Sequence, residues 1–381
     1  KVKQSQIMFL PLLRKKATGE VNFSIEETRS DINQKHNLID VMFLIITAIS
    51  SGCEGWQDIE IYGDEKLSWL RQYRAFKHGI PRRHTIARIL RSVVAESLLD
   101  ALALWLNEQR QSLNKPIIAF DGKVLRGSYR NDRKTALQLV TAYDTERGLV
   151  LSQKPTKTKN GEISVVRQML DILDVKGSVI TMDALHCQYE TLEIIADKKA
   201  HVVVQVKKNQ PKLYGAVSNA FQAVFDAHKE KVVTHIKQEI HGRKEERYVY
   251  QLKANLPTEL AQKWPTIRSI IAVERHRTIK NKCSIDTSYY ISSMSPRHKM
   301  LGHYIRQHWR IENSQHYVLD VVFKEDESRI ALEGAVENLA LFRRFVMNIL
   351  RQCECGAPSQ RSKIKKASWS DDYRARIFFG L

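Results

Sequence analysis

The chain has 381 residues, enough for roughly two or three packed units, and 43% of them are hydrophobic, which excludes a disordered polymer. Its longest strongly apolar run, residues 41–49, falls short of the about 20 helical residues that a bilayer requires, so a soluble cytoplasmic protein is expected. Lys and Arg number 61 against 42 Asp and Glu, a formal charge of +19, and an excess of that size suits a polyanionic partner, nucleic acid above all.

Residues 20–112 read as helical. The apolar helix in "NLIDVMFLIITAISSG" stops at Ser50, Ser51 and Gly52. "KLSWLRQYRAFKHGIP" places Trp69, Leu70, Tyr73 and Phe76 at helical spacing and ends at Gly79 and Pro81. A further helix carries Ile86, Ile89, Leu90, Val93, Val94 and Leu98 on one stripe. A helix, a Gly-Pro turn and a helix opening with Arg82, Arg83, His84 and Arg88 suits a helix-turn-helix. An ordinary helical domain with a solvated basic face reads equally well.

After Pro116 the pattern changes to short Val- and Ile-rich strands: 117–121, 137–144, 148–154, 178–183 and 201–209. Helices over about Ile163–Leu173 and Leu185–Lys198 precede the last two, which makes a mixed α/β layer. From 211 to 296 the rhythm breaks, with a helix at "PKLYGAVSNAFQAVFDA" and then further strands, a β-rich insertion. Two helices follow, and a strongly basic tail closes the chain. The five cysteines are odd in number and lack CxxC pairs, which argues against a disulfide framework and a zinc site; Cys353 and Cys355 read as free thiols.

Three carboxylates deserve weighing. Asp121 ends the first strand in "IIAFDGKVLRGS", where Asp-Gly suits a hairpin turn, yet the next strand begins too far on for a two-residue turn. Asp183 ends the fourth strand in "VITMDALHCQ", where it suits an N-cap as well as a functional group at a strand's carboxyl end. Glu312, in "YIRQHWRIENSQHYVLD", repeats with Ile305 and Leu319 every seven residues and so falls on or beside an apolar stripe. There it wants a cation, whether a bound one or Arg310 or a flanking histidine. The gaps between the three are 62 and 129 residues, and an Asp, an Asp and a later helical Glu match the ribonuclease H-like arrangement.

With "HGIPRRHTIARIL", "TKNGEISVVRQML", "VVVQVKKNQPKLY", "HGRKEERYV" and "HWRIENSQHYVLDVVFKEDESRI" in order along the chain, the sequence resembles bacterial DDE insertion-sequence transposases of the H-repeat-associated branch. The resemblance implies an α/β fold, a ribonuclease H-like mixed sheet interrupted by a β-rich insertion. The expected organisation is a helical DNA-binding domain over 1–112, a catalytic core over 113–210 and 297–351, the insertion over 211–296 and a basic tail over 352–381. It implies that Asp121, Asp183 and Glu312 are the catalytic triad and hold two Mg²⁺ ions, with Mn²⁺ as a substitute. The family often has Arg and Lys around this Glu, where this chain has His308 and Leu319; Arg306, Arg310 and His316 are candidates to replace them. Expected DNA contacts are Arg82, Arg83 and Arg88 in the helical domain, and Lys207, Lys208, Asn209 and Gln210 after the fifth strand. Arg243 and Lys244 at the insertion's turn, and Arg310 and Asn313 beside the Glu, complete the set. The expected partner is double-stranded DNA, both transposon ends and target, bound by a homodimer or larger assembly in the bacterial nucleoid, without a nucleotide cofactor or a membrane. The rival readings are a DNA-binding regulator without chemistry and an endonuclease of the same fold that does not join strands.

Overall fold

The computed structural model describes residues 25–30, 34–110, 116–129, 131–132, 135–156, 158, 161–240, 243–280, 282–332 and 334–380. The first helices are α1 (Leu38–Ser50), α2 (Trp56–Leu70), α3 (Arg83–Ser92) and α4 (Ala95–Arg110). Asn37 starts α1, its side-chain oxygen accepting the Ile39 N–H at 2.9 Å. The α2–α3 connection runs from 71 to 82, longer than the about three or four residues of a helix-turn-helix. Asp40 of α1 ties it down, accepting from Arg74 Nε at 2.9 Å and from the Phe76 N–H at 3.0 Å. The single helix expected over 82–109 is broken at Val93. There the Val94 N–H turns to the Glu26 carbonyl, and the Asn338 amide takes up the carbonyls of Leu90 and Val93. Those partners satisfy the groups a helix end leaves open.

The sheet begins with β1 (Ile117–Val124), β2 (Gln138–Asp144) and β3 (Leu149–Thr156), a meander. Then come α5 (Gly161–Ile172), β4 (Val179–Met182), a one-turn 3₁₀ helix (Ala184–His186), α6 (Tyr189–Asp197) and β5 (His201–Val206). β1, β4 and β5 are parallel, giving the order β3-β2-β1-β4-β5 of a ribonuclease H-like sheet. All of β4 and the first four residues of β1 are buried, as parallel strands covered on both faces should be.

The segment expected as an insertion contributes α7 (Pro211–Asp226), β6 (Val232–Ile240), β7 (Arg243–Lys253), α8 (Thr258–Lys263), β8 (Ser269–Ile279) and β9 (Lys282–Ser292). It is inserted in sequence but not in hydrogen bonding. β9 pairs antiparallel with β5 from Val203↔Ser292 to Val206↔Tyr289, so one sheet runs β3-β2-β1-β4-β5-β9-β8-β7-β6.

The chain then forms α9 (Leu301–His308), a wide π-helical turn (Ile311–His316), α10 (Tyr317–Val321), α11 (Ala335–Gln352), α12 (Gln360–Trp369) and α13 (Asp371–Phe379). α11 is the central post, buried from Asn338 to Leu350. The Asn348 amide pairs with both the N–H and the carbonyl of Val150, each at 2.8 Å, and so closes part of edge strand β3. The expected basic tail is not a tail. α12 and α13 pack back on the first helices, with the Phe379 and Tyr73 rings 4.1 Å apart and buried Arg374 4.6 Å from the Trp69 ring. Their basic side chains alternate with Ile364, Ala367, Ile377 and Phe378, all buried, and that apolar stripe is what folds them. A single hydrophobic cluster joins Leu38 to Phe379, so the helices of 38–110 share their core with the rest. Cys353 and Cys355, read as free thiols, are disulfide-bonded. Among the described residues no helix is long and apolar enough to cross a membrane.

Candidate active site

Parallel pairing of β1 with β4 ends at Phe120 and Met182, so Asp121, the next residue of β1 and still paired with Thr141 of β2, lies beside Asp183, the residue that follows β4. Of the two roles weighed for Asp183, the structure shows the cap. Its Oδ1 accepts the Leu185 N–H at 3.1 Å and caps the 3₁₀ turn, while 42% of the side chain stays exposed for other partners. Asp121 lies deeper, 23% exposed, and its own next N–H, that of Gly122, donates to Oδ1 at 2.9 Å.

The expected hairpin at Asp121-Gly122 is absent, for β1 runs on to Val124. Gly122 is required for another reason. A Cβ there would lie 2.7 Å from the carboxylate of Glu162, which α5 lays against the other face of the strand. Glu162 is buried, accepts a hydrogen bond from Gln138 and stands 3.7 Å from His186, which is itself 3.9 Å from Asp183. Burial pushes the Asp121 carboxyl up to about 7, and the charges of Asp183, Glu312 and Glu162 add to that push against the Gly122 hydrogen bond.

Glu312 does not sit on the apolar stripe. α9 ends at His308, and the wide turn that follows puts Ile311 and Gln315 in the core and leaves Glu312 and Asn313 exposed. A π-helical turn of this sort re-aims side chains and recurs at functional sites. His308, at the position where the family often has Arg, is buried; its Nδ1 is 3.2 Å from Thr181 Oγ1. Burial holds its pKa down at about 4, with His186 adding and Asp183 opposing. His316 Nδ1 is 3.7 Å from Asp121 Oδ2, and burial, with the charges of Arg344 and Lys123, lowers it to about 3. Both imidazoles are therefore neutral near neutral pH. Arg306 points away into a cavity described below, and Arg310 bonds Gln307 at 3.2 Å.

The other candidates fall in four places. Arg310 and Asn313 are exposed on the Glu312 turn, Asn313 bonding the Trp309 carbonyl at 3.1 Å. Lys207, Lys208 and Asn209 are exposed after β5 and Gln210 is half-buried, but the two amides are tied to the Asp183 turn. Asn209 donates to the Ala184 carbonyl at 2.6 Å and Gln210 to that of Cys187 at 2.9 Å, so these side chains brace the Asp183 turn rather than reach outward. Arg82, Arg83 and Arg88 are exposed on α3, but Arg82 already bonds Glu60 at 3.0 Å, and the Arg83 N–H bonds the same carboxylate. Arg243 opens β7, and Lys244 faces Glu239 at 4.0 Å; the turn itself, 241–242, lies outside the described residues.

Sequence reasoning missed Glu162, His186 and a charged network on the same face of β1 as Asp121. Lys123, 7% exposed, contacts Asp320 at 2.6 Å, Asp326 at 3.0 Å and Glu325 at 3.5 Å, and Arg344 grips Glu325 at 2.6 and 3.2 Å. These ties hold the segment after the Glu312 turn against β1. The signal was present in "NGEISVV" and "FKEDES", but a Glu opening a helix and a mixed charge run both read as ordinary solvated features.

Two aspartates set side by side on adjoining strands of a ribonuclease H-like sheet, with the charge of a later helical glutamate felt at one of them, are the arrangement the resemblance to DDE transposases leads one to expect. The Transposase DDE domain family matches residues 112–349 and the DDE_Tnp_1-associated family matches 23–106; the chain belongs to the DDE transposases. "Putative transposase YncI" of Escherichia coli O157:H7 is 35% identical over 358 residues, 92% of this chain and 91% of that one. "H repeat-associated putative transposase YhhI" of Escherichia coli K12 is 32% identical over 368 residues, 93% and 96% of the two chains. A solved piggyBac transposase synaptic complex with hairpin DNA aligns over 98% of this chain and 78% of that one, with a TM-score of 0.42 and 11% identity.

Proposed function

We propose that the protein cleaves DNA at transposon ends in a divalent-metal-dependent reaction and joins the freed 3′-hydroxyl to target DNA, with Asp121, Asp183 and Glu312 as the reacting centre. The observation that carries this is the β1–β4 pairing that sets Asp121 beside Asp183, with the charges of Asp183, Glu312 and Glu162 all raising the Asp121 carboxyl and, among the described residues, no Lys or Arg ion pair to any of the four. His186 and His316, the neighbouring bases, stand 3.7 Å or more from the carboxylate oxygens.

Among the described residues no three His, Cys, Asp or Glu side chains are gathered into a metal cage. The donors nevertheless fit Mg²⁺ in kind, being hard carboxylate oxygens with excess negative charge. Asp121, Asp183 and Glu312 would hold the ion, which when bound polarises the attacking and leaving oxygens of a phosphodiester. The chain's own residues do the positioning. Asn209 and Gln210 fix the turn that aims Asp183, and the Lys123–Glu325 contacts fix the segment that follows Glu312. Neutral His316 stands beside Asp121 and adds no positive charge to the centre. Lys207, Lys208, Arg310 and Asn313 surround the centre with groups suited to a DNA backbone.

The deciding experiment is a strand-transfer assay with labelled element ends in Mg²⁺. Nicking followed by joining supports the proposal. Nicking without joining assigns an endonuclease, and binding without either assigns a regulator.

A further inference from the structure

The sheet carries a second charged site on the face that α9 covers. Residues 245, 247 and 249 of β7 share that face with 273, 275 and 277 of β8, and the register sets Arg247 directly across from Arg275. Like charges directly opposed on neighbouring strands repel, and here they are largely enclosed, with side chains 24% and 21% exposed. Gly302 lets α9 come close, since a Cβ there would meet Val249 at 2.9 Å, and this brings Arg306 over the same face. Together with Arg277 they line a cavity of about 240 Å³ whose rim includes Trp309 and Glu312.

The acids present do not balance these guanidiniums. Glu245 is shared between Arg247 and Arg277, and Asp286, at 3.4 Å from Arg275, is 68% exposed. Arg306 has neutral Gln238 at 2.7 Å on Nη2, while its buried Nη1 has no hydrogen-bond partner. Burial lowers the Arg247 pKa; Glu245 opposes this, and the charges of Arg306 and Arg275 lower it further. A buried donor without an acceptor and a set of facing guanidiniums both call for an oxyanion.

We propose that this cavity is a phosphate site in which Arg247, Arg275, Arg277 and Arg306 grip one backbone phosphodiester of the DNA strand that lies across Glu312. Guanidinium forks suit phosphate oxygens, and a phosphate, unlike a base, offers only acceptors to a site that offers mainly donors. Because Glu312 borders the cavity, the gripped phosphate lies near the bond to be cut and sets its register. The inference rests on the reading of the chain as an enzyme acting on DNA.

The test measures binding of end DNA by parent, Arg275→Gln and Arg306→Gln in Mg²⁺-free buffer across a salt series, so that it does not depend on cleavage. Each variant should bind roughly tenfold or more weakly, with the salt slope reduced by about 0.9 for a lost phosphate contact. Single methylphosphonates are then placed at each phosphate flanking the cut. One position should weaken the parent about tenfold and leave Arg306→Gln unaffected. Variants with parental melting temperatures, affinity and salt slope overturn the site, as does a methylphosphonate loss equal in parent and variant. If Arg306→Gln does not fold, Arg275→Gln decides alone. Failure of the DDE chemistry would show separately, as normal binding without nicking by the parent.

Discussion

Two charged clusters share one face of β1, with Asp121 and Lys123 two residues apart, and they are built on opposite principles. Around Lys123 every carboxylate has a cation, and Arg344 doubles the hold on Glu325, whose carboxyl stays below its ordinary range despite complete burial. Around Asp121, among the described residues, no Lys or Arg ion pair engages Asp121, Asp183, Glu162 or Glu312, and the Asp121 carboxyl rises to about 7. The first cluster is closed and holds the chain together. The second is left open, and an excess of one charge at a strand end is what a cation and a polyanionic substrate would complete.

The sharpest break of that comparison comes from neutralising the open cluster. Asp121→Asn, Asp183→Asn or Glu312→Gln should each lower nicking and joining by at least about three orders of magnitude, with losses that do not add, because the three act as a unit. Asp183→Asn should keep its cap, since Asn caps about as well as Asp. Melting temperatures should stay at or above the parent's, and full activity of any of the three in Mg²⁺ would remove it from the reacting centre. In the closed cluster, by contrast, Glu325→Gln leaves Arg344 and Lys123 buried with one carboxylate fewer. It should cost about 3–5 kcal/mol in urea unfolding, and unchanged stability would show that the network is not what holds the segment.

The third effect is smaller and depends on pH. The folded Asp121 carboxyl titrates near 7 and the unfolded one near 3.8, so between those values the folded state keeps a proton that the unfolded state has released. Its contribution is full below about 4 and is lost as pH rises through 7. The metal-free protein should therefore lose urea stability across that window, and Mg²⁺ or the Asp121→Asn substitution should flatten the loss. A slope identical in parent and variant would show that Asp121 does not supply it. The smallest effect is expected at α3. Arg82→Ala with Arg83→Ala should leave the melting temperature close to the parent's, since Arg82 is exposed and its pair with Glu60 is screened by solvent. Weaker binding of the element's own ends by this double variant would show that the first helices read them, and unchanged binding would show an ordinary solvated face.

The strands of the first half of the sheet were legible because each is a short apolar run bounded by turns, whereas the pairing of Asp121 with Asp183 was an expectation drawn from the resemblance, since the residues alone give no strand order. Four things were not legible. The break at Val93 depends on Asn338, far along the chain, and local periodicity carries no trace of it. The outward turn of Glu312 depends on one wide turn, whereas a seven-residue spacing presumes an uninterrupted helix. Glu162 was hidden because a glutamate in a helix's first turn is what the helix dipole favours anyway. The arginine face was hidden for a related reason: Arg247, Arg275 and Arg277 come from strands whose alternation has meaning only once their register is known.

Continuity of hydrogen bonding from β4 to β7 has a mechanical consequence. Four inter-strand steps separate the end that bears Asp183 from the strand that bears Arg247, a span of about 19 Å at ordinary strand spacing. A sheet resists stretching along its ladder, because lengthening it means breaking every rung at once. The sheet thus fixes the separation of the strands that bear Asp183 and Arg247, whichever partners those side chains take.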